Sequence, residues 1–160
     1  MPRSGQVIDA ETGKPIEGAI VCMQWKTGGF LGVAGPSFAA LYETKTDSQG
    51  KYYVPSQHLK RRIWLEGVDD EEVLVYKDGY EGYQAFLNKG WYFGGEYGEP
   101  YHRRNNQVLL RAFNTSWSHE EHFEWIRVFR IEGDLKPLLE QEIQKEEERA
   151  QEDLRGFKDF

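Results

Sequence analysis

Two turns constrain the start of this chain more than any other feature. Thr12-Gly13-Lys14-Pro15 joins a glycine, free to take positive φ, to a proline whose ring fixes φ. Asp47-Ser48-Gln49-Gly50 sets a turn-capping carboxylate ahead of a glycine at the last turn position. The runs beside these turns are short and rich in β-branched and aromatic residues: Val7-Ile8, Ile20 to Trp25, and Tyr52 to Val54. Such runs, bounded by turns, form strands. Alternation then puts Ala19, Val21, Met23 and Trp25 on one face of their strand, and Tyr52 and Val54 on one face of theirs. These residues are the expected core.

Further along, Thr27 to Ala40 is glycine-rich and reads as a long loop, with Phe30, Leu31 and Phe38 as anchors. Its glycines precede neither a Lys-Ser/Thr pair nor a helix, so a phosphate-binding loop is a poor reading of it. Ile63-Trp64-Leu65 and Glu72 to Lys77 are predicted strands, and Asp69-Asp70-Glu71-Glu72 is predicted to be an exposed turn. Tyr80 to Tyr101 interleaves aromatics with glycines and reads as an irregular insert. Its rings either fold onto the sandwich and the C-terminal helices, or form a platform for sugars or a partner's apolar surface. The candidate binding residues there are Tyr83, Trp91, Tyr92, Phe93, Tyr97 and Tyr101.

Gln107 to Phe113 is the closing strand, after which the pattern becomes helical. Ser118 and Glu121 have the spacing of a capping box, for a helix running to about Ile131 that buries Phe123, Ile126 and Phe129 or their neighbours. Gly133 ends it, and Asp134 caps a second helix with Pro137 in its first turn. Leu139, Ile143, Ala150, Leu154 and Phe157 form an apolar stripe that Glu146 interrupts. Gln144 to Glu152 is strongly charged and is expected to project into water.

Four turn-and-strand pieces resemble the carboxypeptidase regulatory-like family. They are Gly5-Gln6-Val7-Ile8-Asp9, Thr12-Gly13-x-Pro15-x-x-Gly18-Ala19-x-Val21, Thr46-Asp47-x-x-Gly50-x-Tyr52, and Val73 to Tyr80 with its closing Gly79-Tyr80. The resemblance covers roughly residues 5–80 and the last strand. It implies a mainly β fold, an antiparallel Greek-key, transthyretin-like (prealbumin-like) β-sandwich, here with an aromatic insert and a C-terminal two-helix extension. The domain organisation that follows is a sandwich over 5–113, with its insert at 80–106, and a helical extension over 114–160. The chain departs from the family in its basic-then-acidic Ser56–Glu72 segment, in the insert and in the helices. Such domains are mostly non-catalytic attachments or stand-alone bacterial envelope modules, often lipoproteins. A Ser-His-x-x-His element after the last strand is also a feature of the related envelope proteins.

Composition removes several function classes. A net charge of −7 opposes a nucleic-acid partner, and Lys60-Arg61-Arg62 and Arg103-Arg104 read as solvated or acid-paired patches. The single cysteine, Cys22, sits mid-strand, which excludes a disulfide framework and a cysteine-based zinc site. No apolar run reaches the ~20 residues that span a bilayer. Met1-Pro2-Arg3-Ser4 runs straight into the first strand without a signal peptide, which alone points to the cytoplasm. The family resemblance points instead to the periplasm or cell envelope, with the signal removed from this chain and a lipid anchor carried by the precursor.

Chemistry is sparse. His119 and His122 lie one helical turn apart, the spacing of two metal ligands. The histidine spacing is one residue short of the zinc-protease His-Glu-x-x-His, and two ligands are too few unless His58, His102 or a distant carboxylate joins them. Capping and docking of the helix is the competing role, and no metal or other cofactor is expected. The carboxypeptidase catalytic His-x-x-Glu pair, the Tyr-Arg-Gly-Ser signature of transthyretin-like hydrolases and a Gly-x-Ser-x-Gly elbow are all missing from the sequence. The sequence therefore reads as a non-catalytic envelope module for protein contacts, assembly or self-association. The alternatives are a metal-binding protein or metal-dependent hydrolase using His119 and His122, and a carbohydrate-binding module using the insert.

Overall fold

The computed structural model describes residues 2–27, 37–56, 68–86, 89–93, 97–98, 101–102, 104–127 and 137–156. The strands are β1 (Arg3–Asp9), β2 (Ile20–Thr27), β3 (Ser37–Lys45), β4 (Lys51–Val54), β5 (Val68–Tyr76), β6 (Tyr83–Phe86), β7 (Lys89–Tyr92), β8 (Tyr97–Gly98) and β9 (Asn106–Leu110). Two helices follow, α1 (His119–Ile126) and α2 (Pro137–Gly156). The strands form a three-stranded sheet in the order β4-β1-β9 and a six-stranded sheet in the order β3-β2-β5-β6-β7-β8. The fold is the mainly β, two-sheet sandwich with a two-helix extension that the sequence implies.

The turn motifs are built as their chemistry dictates. Asp9 Oδ1 accepts from the amides of Glu11 and Thr12, and Asp47 Oδ1 accepts from those of Gln49 and Lys51. Thr46 is buried; its Oγ1 accepts from the Ala19 amide at 2.8 Å and donates to the Ile16 carbonyl at 2.7 Å, tying the two turn regions together. Between the sheets, Val7, Tyr52, Val54, Val108 and Leu110 meet Val21, Met23, Trp25, Val73, Val75 and Tyr83. The opposite face of the large sheet is also covered. Cys22, Leu41, Leu74 and Tyr76 pack under Ile126, Leu139 and Ile143, so β2 from Ile20 to Met23 and β5 from Val73 to Tyr76 are apolar on both faces, as strands covered on both sides are.

Several elements differ from expectation. Among the described residues all but one of the sheet pairings are antiparallel: β1 and β9 run parallel, Gly5 opposite Asn106 through Asp9 opposite Leu110. These strands are distant in sequence, so no hairpin dictates their relative direction. The predicted loop at 27–40 is strand from Ser37 onward, paired with β2 across a bulge at Trp25/Lys26. The glycines before Ser37 conceal an alternating run of strand formers, while Phe30 and Leu31 lie outside the described residues.

Asp69 to Glu72 is not a turn but part of β5. Glu71 pairs with Arg3, while Glu72 is buried and accepts from Lys26 Nζ at 2.6 Å and from the Gln24 amide. These partners lie 46 to 68 residues away, beyond the reach of local charge patterning. The aromatic insert is likewise regular in its described parts. β6, β7 and β8 extend the large sheet, with Tyr83 opposite Tyr92 and Ala85 opposite Gly90, because aromatic side chains suit a pleated surface. The predicted strand Ile63–Leu65 falls outside the described residues, as do His58, Lys60 to Arg62, Asp134 and Phe157.

Candidate functional site

Helix α1 begins at the predicted cap. Ser118 Oγ accepts from the amides of Glu120 and Glu121 at 3.1 and 3.4 Å. The helix is described from His119 to Ile126 with Arg127 as its C-cap, and the rest of its expected extent, to about Ile131, lies outside the described residues. Of its predicted buried residues, Ile126 is inside and Phe123 half-buried, and Phe129 lies outside the described residues. With His119 at the first helical position, His122 lies one turn on along the same face.

Helix α2 supplies what faces them. Leu139, Ile143, Glu146 and Ala150 follow one another at helical spacing, and all four are buried. The expectation that Gln144 to Glu152 projects into water fails at Glu146 and Ala150. Glu146 occupies a core position on the apolar stripe, and its side chain is 1% exposed.

One carboxylate oxygen takes both histidines. Glu146 Oε1 lies 2.6 Å from His119 Nδ1 and 2.8 Å from His122 Nδ1. Burial pushes the Glu146 carboxyl upward, but the hydrogen bonds from His122 and His119 hold it below the usual range. An ionised carboxylate only accepts, so both Nδ1 atoms carry the protons. His122 Nε2 is buried and has no hydrogen-bond partner among the described residues. On the far side, Arg149 reaches Glu146 Oε2 at 3.2 Å and grips both oxygens of Asp78 at 2.6 and 3.0 Å. Arg149 holds the Asp78 carboxyl below its ordinary value.

Aromatic rings wall the histidines. Phe113 stacks on His119 at 4.9 Å and lies 4.8 Å from His122. Phe93 is 4.7 Å from His122, with Trp117 edge-on to Phe93 at 5.2 Å. Tyr76 and Trp125 complete the enclosure at 5.7 and 6.2 Å from His122. Tyr76 comes from β5, Phe93 from the end of β7 and Phe113 from just past β9, so the sheet and the helices build this junction together.

The predicted binding residues separate. Tyr83 is 2% exposed in the inter-sheet core, and Phe93, 7% exposed, belongs to the histidine enclosure. Tyr92 is half-buried with the Arg111 guanidinium 5.5 Å over its ring. Tyr101, also half-buried, shares a 3.0 Å hydrogen bond with the Tyr52 hydroxyl, and burial pushes its phenol up to about 12. Trp91 and Tyr97 take backbone positions in β7 and β8, and their side chains lie outside the described residues. The structure thus brings His119, His122 and Phe93 together and leaves Tyr101 on the other side of the large sheet, against Met23. His102 is exposed and is not part of the histidine cluster.

No family model matches the chain, and no curated protein matches it. Among solved structures, it superposes on two mutant forms of the shaft pilin SpaA from Lactobacillus rhamnosus GG, at 12% and 15% identity and TM-scores of 0.39 and 0.38. Each superposition covers 71% of this chain and 46% of the pilin, so the chain spans less than half the pilin's length. A 9R-lipoxygenase from Cyanothece superposes at 13% identity and a TM-score of 0.35, over 73% of this chain and 18% of the enzyme. Likenesses this distant say nothing about what the chain binds.

Glu146, Arg149, Asp78 and Phe113 are the site residues that sequence reasoning misses. Glu146 alone leaves a signal. A charge at a core position of an amphipathic helix must be paired, and the two histidines are candidates for the pairing.

Proposed function

We propose that the chain is a non-catalytic β-sandwich module of the cell envelope, of the carboxypeptidase regulatory-like kind that its turns resemble. Its two parts are a sandwich over 5–113 and a helical extension over 114–160. It works by contacting another protein, and helix α2 is the contacting element.

The supporting observation is how α2 is mounted. Its first half is anchored by Leu139, Ile143 and the Glu146 cluster, whereas every residue from Gln151 to Arg155 is exposed. Leu154 presents an apolar side chain that is 48% exposed, beside Glu148, Glu152 and Asp153. A helix fixed at one end presents its other end with little ordering cost, which favours association. The matching partner is a protein with a basic face and a small apolar recess for Leu154. Among the described side chains, the insert offers a second surface through Tyr92 and Tyr101, since Tyr83 and Phe93 are inside.

The test compares proteins cross-linked in envelope fractions to the wild-type chain and to Glu152→Lys and Leu154→Ala variants. The reading expects a complex that weakens with salt, as screened surface charges do, and that both substitutions diminish without altering thermal stability. Identical cross-linked partners for wild type and both variants, or a chain found only in the cytosolic fraction, would overturn it.

A further inference from the structure

We infer that His119, His122 and Glu146 form a binding site for one divalent transition-metal ion of the zinc class. This goes beyond protein contact and does not depend on it.

Two imidazoles and a carboxylate are the donor set for zinc, cobalt, nickel or copper, and a poor one for magnesium or calcium, which take oxygen ligands. The sequence alone offers two ligands, one turn apart, and the fold brings the third from a separate helix. One donor atom from each residue lies within 4.8 Å of the other two. Tetrahedral coordination with bonds of about 2.0–2.1 Å spaces ligand atoms roughly 3.3 Å apart. From the hydrogen-bonded separations, each nitrogen must draw back by roughly half an ångström, within the reach of small side-chain rotations.

The second observation is the buried Nε2 of His122, which has no hydrogen-bond partner among the described residues. With its proton on Nδ1, that nitrogen keeps a lone pair that no donor among the described residues meets. A metal on Nδ1 shifts the ring proton to Nε2 and turns Glu146 Oε1 from a hydrogen-bond acceptor into a fellow ligand. No proton is gained or lost in that tautomeric shift.

The surroundings suit an ion. Arg149 fixes Oε2 and leaves Oε1 turned to the histidines, an outer-shell partner of the kind that orients metal-binding carboxylates. Asp78 neutralises that arginine, so the cluster retains the negative charge of Glu146. The His119 side chain is 29% exposed, which provides an entry path and a place for water at a fourth position.

The full chain, stripped with chelator, is titrated with Zn²⁺ by calorimetry and with Co²⁺ by visible absorption, Mg²⁺ serving as control. The expected result is about one Zn²⁺ per chain, a Co²⁺ spectrum of four-coordinate intensity, and a raised melting temperature with Zn²⁺ but not Mg²⁺. His119→Ala, at the most exposed ligand, keeps the fold by circular dichroism and weakens Zn²⁺ binding about tenfold or more, on the scale that loss of a single metal-site partner reaches. Glu146→Gln does the same, and if that variant fails to fold, His119→Ala decides alone. His102→Ala changes nothing. Failure of Zn²⁺ to bind stoichiometrically, or binding that survives His119→Ala, leaves a hydrogen-bonded cluster only and overturns the inference.

Discussion

Gly50 ends the Asp47 turn at φ +69°, and its backbone accepts from the Val7 amide and donates to the Asp47 carbonyl, both at 2.8 Å. A Cβ there would lie 2.4 Å from the Val7 carbonyl oxygen and 3.0 Å from Pro15 Cβ. Gly13 has the same φ but open space around its Cβ position. Gly13→Ala therefore isolates the left-handed backbone cost, about 1 kcal/mol, and Gly50→Ala adds the clash to it. We expect Gly50→Ala to cost about 2–4 kcal/mol against wild type, read from urea midpoints, with its excess over Gly13→Ala giving the clash. Equal losses would mean that β1 moves aside freely. This turn is legible in the sequence because its conformational demands lie within four residues. Glu146 is legible only as an anomaly on the apolar stripe, since its partners lie 24 and 27 residues upstream.

At the scale of elements, the start of α2 shows why helix ends are harder to read than helix faces. The stripe predicts the buried face correctly at Leu139, Ile143 and Ala150 and wrongly at Leu154, which is 48% exposed past the last turn that packs on the sheet, while Phe157 lies outside the described residues. The groups that satisfy the first amides come from β3: Glu43 accepts from Leu138 at 3.1 Å and from Leu139 at 3.0 Å, 95 residues away from the first of them. No window of local sequence contains that partner. Aromatic residues misled the reading in another way, because the glycines among them suggested an irregular insert where the described segments pair as strands. Glu43→Ala leaves two amide donors of a half-buried helix start without their carboxylate. It is expected to cost about 0.5–2 kcal/mol, the range of a lost helix cap. Amide exchange should show the loss confined to the first turn of α2, with β2 and β5 unchanged. Faster exchange spread evenly through the sandwich would show that Glu43 supports the sheet rather than the helix.

For the whole molecule, the open question is whether the helical layer leaves the sandwich by itself, and Cys22 reports on this directly. It is the chain's single cysteine, fully buried on the sheet face that α1 and α2 cover, and burial pushes its thiol far up. A thiol reagent reaches it only when that layer lifts or the protein unfolds. The helices meet the sheet through side chains, Leu139 and Ile143 against Cys22, Leu74 and Tyr76, and lifting them breaks no strand ladder. Lifting does expose that apolar face, so the open state stays rare. Ile143→Ala, expected to cost about 2–4 kcal/mol, weakens only this layer. Val108→Ala weakens the contact between the two sheets, on the other side of the six-stranded sheet. If the layer opens independently, Ile143→Ala speeds Cys22 labelling about tenfold or more, while Val108→Ala changes it by no more than about threefold. Labelling that instead follows global stability equally in both variants would show that sandwich and helices open together as one cooperative unit, and the boundary near residue 113 would then have no energetic meaning.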